Sequence, residues 1–168
     1  EAGAWRHYML VCDDRDVRLY VDGARAWAGA LPASPAASAE PILLGQSGGW
    51  GKTSFSGALG LFRFYDAALS DQDAAEEHRA LRSGIGPTIK TAARYQLPMS
   101  ARRLFRADDL AYEKRSFALQ FDGTSACAEA APLPALDAAE ALTVGAWIRP
   151  DRTTPRSIDE QGYIVSKG

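Results

Sequence analysis

The chain has little that would fix its covalent or electrostatic character. Only two of its 168 residues are cysteine, Cys12 and Cys127. A disulfide-dense small scaffold is excluded, and the two residues, far apart in sequence, are expected to be free thiols. Charge of neither sign dominates: 19 Lys and Arg stand against 21 Asp and Glu, a formal net charge of −2. So close to neutrality, no overall field draws the chain to nucleic acid or to an anionic membrane surface. No apolar run approaches the roughly 18 residues that a membrane-spanning helix needs. None follows a basic N-terminal region as in a secretory signal. Residue 1 is Glu rather than Met, and both ends lie next to strand-like segments. The chain is therefore expected to be cut from a longer polypeptide carrying further domains. Lysine is scarce, 4 residues against 15 arginines, while alanine occurs 31 times. That bias fits a GC-rich bacterial gene and makes alanine alone a poor sign of helix.

What is present is a globular balance, 46% apolar and 24% charged, at a length that suits one ordinary domain. Residues 5–12 read as a strand that is apolar on much of both faces. In 17–22, Val17, Leu19 and Val21 alternate with Arg18, Tyr20 and Asp22, the period of a half-buried strand. Asp22-Gly23 is a tight-turn pair, with 24–28 as the returning arm of a hairpin. Residues 31–41 form a loop, 41–45 a short apolar strand, and 46–54 a glycine-rich loop carrying Trp50. Segment 55–65 is either a strand pair or one long strand bent at glycine. The period then changes. Ser70 has N-cap chemistry with Asp73 three residues on, and Gly84 can end the helix. This predicts a helix over 71–82 that covers a sheet edge, with Ala74, His78 and Leu81 on one face.

Residues 85–115 hold seven basic and three acidic residues, a net +4 that leaves −6 for the rest. A linker with one helical turn near 101–112 is expected, or alternatively a basic docking surface. No paired aromatic platform accompanies the basic residues, so nucleic-acid contact is not expected. Strand character returns in 117–121, followed by the turn Asp122-Gly123. In 142–149, Leu142, Val144, Ala146 and Ile148 oppose Thr143, Gly145, Trp147 and Arg149; Ile164-Val165 begins a further strand. The fold class is all-β, a sandwich with one short helix.

Trp5-Arg-His-Tyr8, Val17-Arg-Leu-Tyr-Val-Asp-Gly23, and Ser56-Gly57 through Phe62-Arg-Phe-Tyr-Asp66 with Ala68-Leu-Ser-Asp71 resemble the back half of laminin G-like modules. These belong to the concanavalin A-like lectin/glucanase superfamily. Ala118-Leu-Gln-Phe-Asp-Gly123, Leu142 through Pro150, and Ile164 through Gly168 resemble the front half. The resemblance implies an antiparallel jelly-roll β-sandwich. It divides the chain into 1–84, the C-terminal half of one module; 85–115, a basic linker; and 116–168, the N-terminal half of another. The halves are out of order, as in a window across a tandem array or in a circularly permuted sandwich. First and last strands are neighbours in such modules, so 117–121 is expected beside 59–65.

The function implied is a noncatalytic glycan- or protein-binding or adhesion module of a larger extracellular or cell-surface bacterial protein. The alternatives are an accessory domain of a carbohydrate-active or other secreted enzyme whose catalytic domain lies elsewhere, or a structural spacer. A structural Ca²⁺ is also implied, with Asp122 as the front ligand. Gly60 stands where the last-strand ligand is commonly Asp.

Trp50 and Trp27 are the candidate ligand-binding residues, because an exposed indole stacks on a sugar ring or anchors a protein partner. The competing role is to cap the edge of the core, and Trp147 is expected inside it. No catalytic residue is assigned. Retaining glycosidases need two carboxylates about 5–5.5 Å apart, which Glu-x-Asp-x-Glu on a strand would supply. Asp14 and Asp16 instead sit in a turn, Glu76-Glu77 on the helix and Asp159-Glu160 in a loop. Gln46-Ser-Gly-Gly-Trp-Gly-Lys-Thr53 nearly spells a phosphate loop but lacks its first glycine, and a strand follows it rather than a helix. His7 and His78 lack a catalytic Ser or Cys neighbour in sequence, and packing roles are expected of both.

Overall fold

The strongest turn signal folds as its chemistry requires. Asp22 and Gly23 adopt φ of 52° and 79°, both left-handed as a two-residue type I′ turn demands. They join β2 (Asp16–Val21) to β3 (Ala24–Ala30). A second turn with Asp14 at φ 52° joins β1 (Arg6–Asp13) to β2. The computed structural model describes residues 2–34, 40–47, 54–82, 94–95, 99–101, 118–130, 139–151 and 163–167.

The two longest strands are β5 (Ser56–Tyr65) and β10 (Ala141–Pro150). β10 lies between β1 and β5 and runs antiparallel to both, with His7 opposite Trp147 and Thr143 opposite Tyr65. β8 (Ala118–Asp122) and β6 (Arg94–Tyr95) pair with the two ends of β5. The main sheet runs β3-β2-β1-β10-β5-β6, with β8 beside β5. Four three-residue strands form the second sheet: β11 (Val165–Lys167), β4 (Ile42–Leu44), β9 (Ala128–Ala130) and β7 (Met99–Ala101), in that order. Ile42, Leu44 and Ala128 from this sheet meet Leu59, Phe64, Phe121, Ala146 and Ile148 from the other in one apolar core. This is an antiparallel β-sandwich of jelly-roll type with one short helix.

The helix, α1 (Asp71–Arg82), covers the opposite face of the main sheet. Ser70 caps it: its Oγ accepts the Asp73 N–H, and the Asp73 carboxylate accepts the Ser70 N–H and hydroxyl. Ala74 packs with Met9, Val11, Tyr20, Tyr65 and Leu69 in a second core. Thr143 ties the approach to the helix down, accepting the Leu69 N–H and donating to the Ala67 carbonyl.

Several expectations change here. The helix covers a face of the sheet, not an edge, so Tyr20 on the polar side of β2 is buried and donates to Asp71 at 2.5 Å. In β1, His7, Met9 and Val11 are buried while Leu10 is exposed; the strand is apolar on two faces yet covered fully on one. Segment 55–65 is a single strand. Its irregularity lies at Leu61, φ 48°, beside the register shift between Gly145 and Trp147. β8 does pair with β5, but along 56–60 rather than 59–65. The expected linker supplies β6 and β7, and 102–117, including most of its expected helical turn, lie outside the described residues.

Candidate recognition face

β3 is an edge strand with a bulge. Trp27 pairs with Leu19, then Arg25 with Tyr20, which leaves Ala26 as the extra residue. Without it, residues 25 and 27 would share a face. With it, Arg25 turns to the helix side and lies 3.5 Å from Asp71, while Trp27 turns to the other. There Leu10, Leu19 and Trp27 form one row across β1, β2 and β3. Trp27 is 53% exposed and Leu10 43%. The row continues through Val144 to Phe64 in the inter-sheet core. The exposed apolar face is thus an outward extension of the sandwich interior. Trp50 and 48–53 lie outside the described residues, and the strand β5 follows them where a phosphate loop needs a helix.

A buried polar cluster lies under the helix. His7 is 1% exposed. Its ring centroid is 5.6 Å from that of Trp147 and 5.7 Å from that of His78; His78 and Trp147 stack at 5.6 Å and 27°. Burial, then the nearby His78, pulls the His7 imidazole down to about 4, and burial also lowers His78. Beside them Glu77, 0% exposed, accepts hydrogen bonds from the Tyr65 hydroxyl and from Arg63 Nη1, the latter at 3.3 Å. Burial and the Glu77 carboxylate push the Tyr65 phenol up. The packing roles expected of both histidines, and the core position of Trp147, are what the geometry gives. Glu77 was missed as a core residue. Its signal was positional: 74, 77 and 81 follow the three- and four-residue steps of a buried helix face.

Asp122 is a turn residue. Its Oδ1 accepts the N–H groups of Thr124, Ser125 and Ala126 at 2.8, 2.8 and 2.9 Å, and its Oδ2 accepts the Ser125 hydroxyl at 3.0 Å. These donors hold its carboxyl well below the usual carboxylate range. Asp122 lies opposite Ser56, whereas Gly60 lies opposite Ala118. Four strand residues, about 13 Å, separate the two positions meant to share an ion. Among the described residues no group of three His, Cys, Asp or Glu could hold a metal. Asp122 and Gly60, the two positions that the resemblance pairs around an ion, are thus not neighbours across the β5–β8 ladder. Asp122→Ala is expected to cost about 1–2 kcal/mol, the scale of a lost cap, read as a lower urea midpoint; Asp122→Asn should retain most of the stability.

Cys12 and Cys127 are free and half-buried. Among the described residues no helix is long and apolar enough to cross a membrane.

Residues 1–75 match the family model Laminin_G_3, of the concanavalin A-like lectin/glucanases superfamily. No curated protein and no solved structure matches the chain. The laminin G-like segment contains β1 to β5 and the whole Leu10–Leu19–Trp27 row. Glu77, His78, β8 and β10 lie beyond it.

Proposed function

We propose that this protein is a noncatalytic recognition module that binds another protein through the face of β1, β2 and β3. The observation that carries this reading is the half-exposed Trp27 in one row with Leu19 and exposed Leu10, continuous with the core. Carbohydrate or protein binding is what laminin G-like modules suggest. Chemistry favours protein here. A sugar needs hydrogen-bonding groups beside its stacking ring, and among the described residues the side chains beside Trp27 on this face are Val17, Leu19 and Val21, with Tyr8, Leu10 and Cys12 on the next strand. A partner's apolar side chain needs only to be desolvated there, and Trp is the residue type most enriched at such anchor points. The noncatalytic reading is supported by where carboxylates are spent: Glu77 on Tyr65 and Arg63, Asp122 on its turn, Asp71 on Tyr20 and Arg25. We place the module in a larger extracellular or cell-surface bacterial protein, with residues 1–84 and 116–168 as module halves around 85–115.

Selection of a displayed random-peptide library on the folded chain tests the reading. Selected peptides are expected to lose at least ten-fold in affinity on Trp27→Ala, with the far-UV spectrum unchanged. Peptides indifferent to Trp27→Ala would sink the face assignment. Binding to arrayed glycans that disappears with Trp27→Ala would replace protein by carbohydrate as the ligand.

A further inference from the structure

We propose that Gly29 is the positioning residue of this face: by carrying no Cβ it makes the room against β3 that the benzo edge of the Trp27 indole occupies. The inference rests on the recognition reading above for its purpose but not for its geometry. An ideal Cβ built on Gly29 would lie 2.4 Å from Trp27 Cζ2, 2.5 Å from Cη2 and 3.3 Å from Cε2. The benzo edge of the indole therefore fills the place of the missing side chain. The backbone does not ask for glycine, because Gly29 is not among the residues with positive φ. Glycine inside a strand also weakens it, and where it occurs it often marks a close approach. The approaching group here is the Trp27 ring.

Two devices thus act on one side chain. The bulge at Ala26 turns Trp27 to the face it shares with Leu19 and Leu10. Gly29 then leaves open the space that the benzo edge of the ring fills. The indole remains 53% exposed in that position, so Gly29 acts on a partner only through where it lets the Trp27 ring sit.

The test is Gly29→Ala. The obstructing atoms are the far end of a movable side chain, so the fold should survive and the ring should lift. Acrylamide quenching is measured on the wild type and on Gly29→Ala, each minus its Trp27→Phe counterpart, which isolates the Trp27 emission. Trp27 is already 53% exposed, so Gly29→Ala is expected to raise that quenching by about half, with an unchanged thermal midpoint. It should weaken a Trp27-dependent selected peptide about ten-fold, while adding nothing in the Trp27→Phe background. Unchanged quenching would overturn the proposal, as would an equal loss of binding with and without Trp27. If no peptide depends on Trp27, the recognition reading fails, and the quenching result alone decides whether Gly29 sets the ring.

Discussion

Glu77→Leu should lower the unfolding free energy by about 3–5 kcal/mol, the scale for removing one partner of a buried ion pair. That is a large part of the ~5–15 kcal/mol that holds an ordinary domain together. The two side chains are similar in size, so little of the loss comes from a cavity. It comes from what remains. Arg63, whose side chain is only 13% exposed, loses the carboxylate that lies 3.3 Å from its Nη1. The Tyr65 hydroxyl, on the strand beneath, loses its acceptor. A buried guanidinium without a counter-charge keeps its full desolvation cost. Glu77→Gln should fall between, since the amide oxygen can still accept from Tyr65 but carries no charge. The decisive variant is the double substitution Glu77→Leu with Arg63→Met. If the unpaired charge causes the loss, removing it should recover most of the stability, because apolar replacements of a whole buried pair are often neutral. Urea unfolding followed by Trp fluorescence and far-UV circular dichroism gives all four corners of the cycle. A cost below about 1 kcal/mol for Glu77→Leu, or no recovery in the double variant, would mean that this ion pair does not bolt α1 to the sheet.

Glu77 also marks where the sequence stopped being legible. Strand existence and side followed from period two. The alternation of Leu142 through Arg149 correctly places Ala146 and Ile148 in the inter-sheet core, with Trp147 under the helix. The Asp22-Gly23 turn and the Ser70 cap were legible because both are local chemistry. What required the fold was whatever depends on two segments meeting. Tyr20 and Glu77 are polar side chains, and nothing local says that a helix will bury both. β10 enters between β1 and β5 although it follows β5 in sequence, and residue spacing carries no trace of that insertion. The resemblance brings β8 beside β5, as found, but its register, Ser56 opposite Asp122 through Gly60 opposite Ala118, needed the paired strands. The sequence leaves Trp27 open between a stacking residue and a cap of the core edge; the bulge that turns it and the glycine that makes room for it appear only once β2 and β3 are paired.

Acidification from pH 7 to pH 4 should cost the folded state about 3 kcal/mol through His7 alone. The sign follows from where the proton binds. Unfolded, a histidine takes its proton near pH 6.5; folded, burial and His78 hold His7 down to about 4. Between those values the unfolded chain binds a proton that the folded chain does not, so stability rises with pH across that window. The contribution is complete above pH 6.5 and drains away as pH falls toward 4; the gap corresponds to about 3 kcal/mol. His78 is lowered as well and acts in the same direction. The charges around the pair act in both directions, and the Glu77 carboxylate, engaged with Tyr65 and Arg63, lies beside them. Arg63 adds to the depression of His7, and Arg79 and Arg82 add to that of His78. Asp22 opposes both but is already engaged by Arg6 at 2.8 Å and by the His7 N–H at 2.9 Å. Asp122 titrates in the same sense but in a lower window, below about pH 4, and can be separated on that ground. His7→Phe keeps a flat ring against Trp147 and removes the titrating group. Its stability should fall much less from pH 7 to pH 5 than the wild type's, the remaining slope being that of His78, and the double variant His7→Phe with His78→Gln should be nearly level. Near-ultraviolet circular dichroism of Trp147 should follow the loss, because protonation would loosen the cluster of His7, His78 and Trp147 under α1. A wild-type slope that survives His7→Phe would place the proton elsewhere, and the ring cluster would then be packing without a role in acid sensitivity.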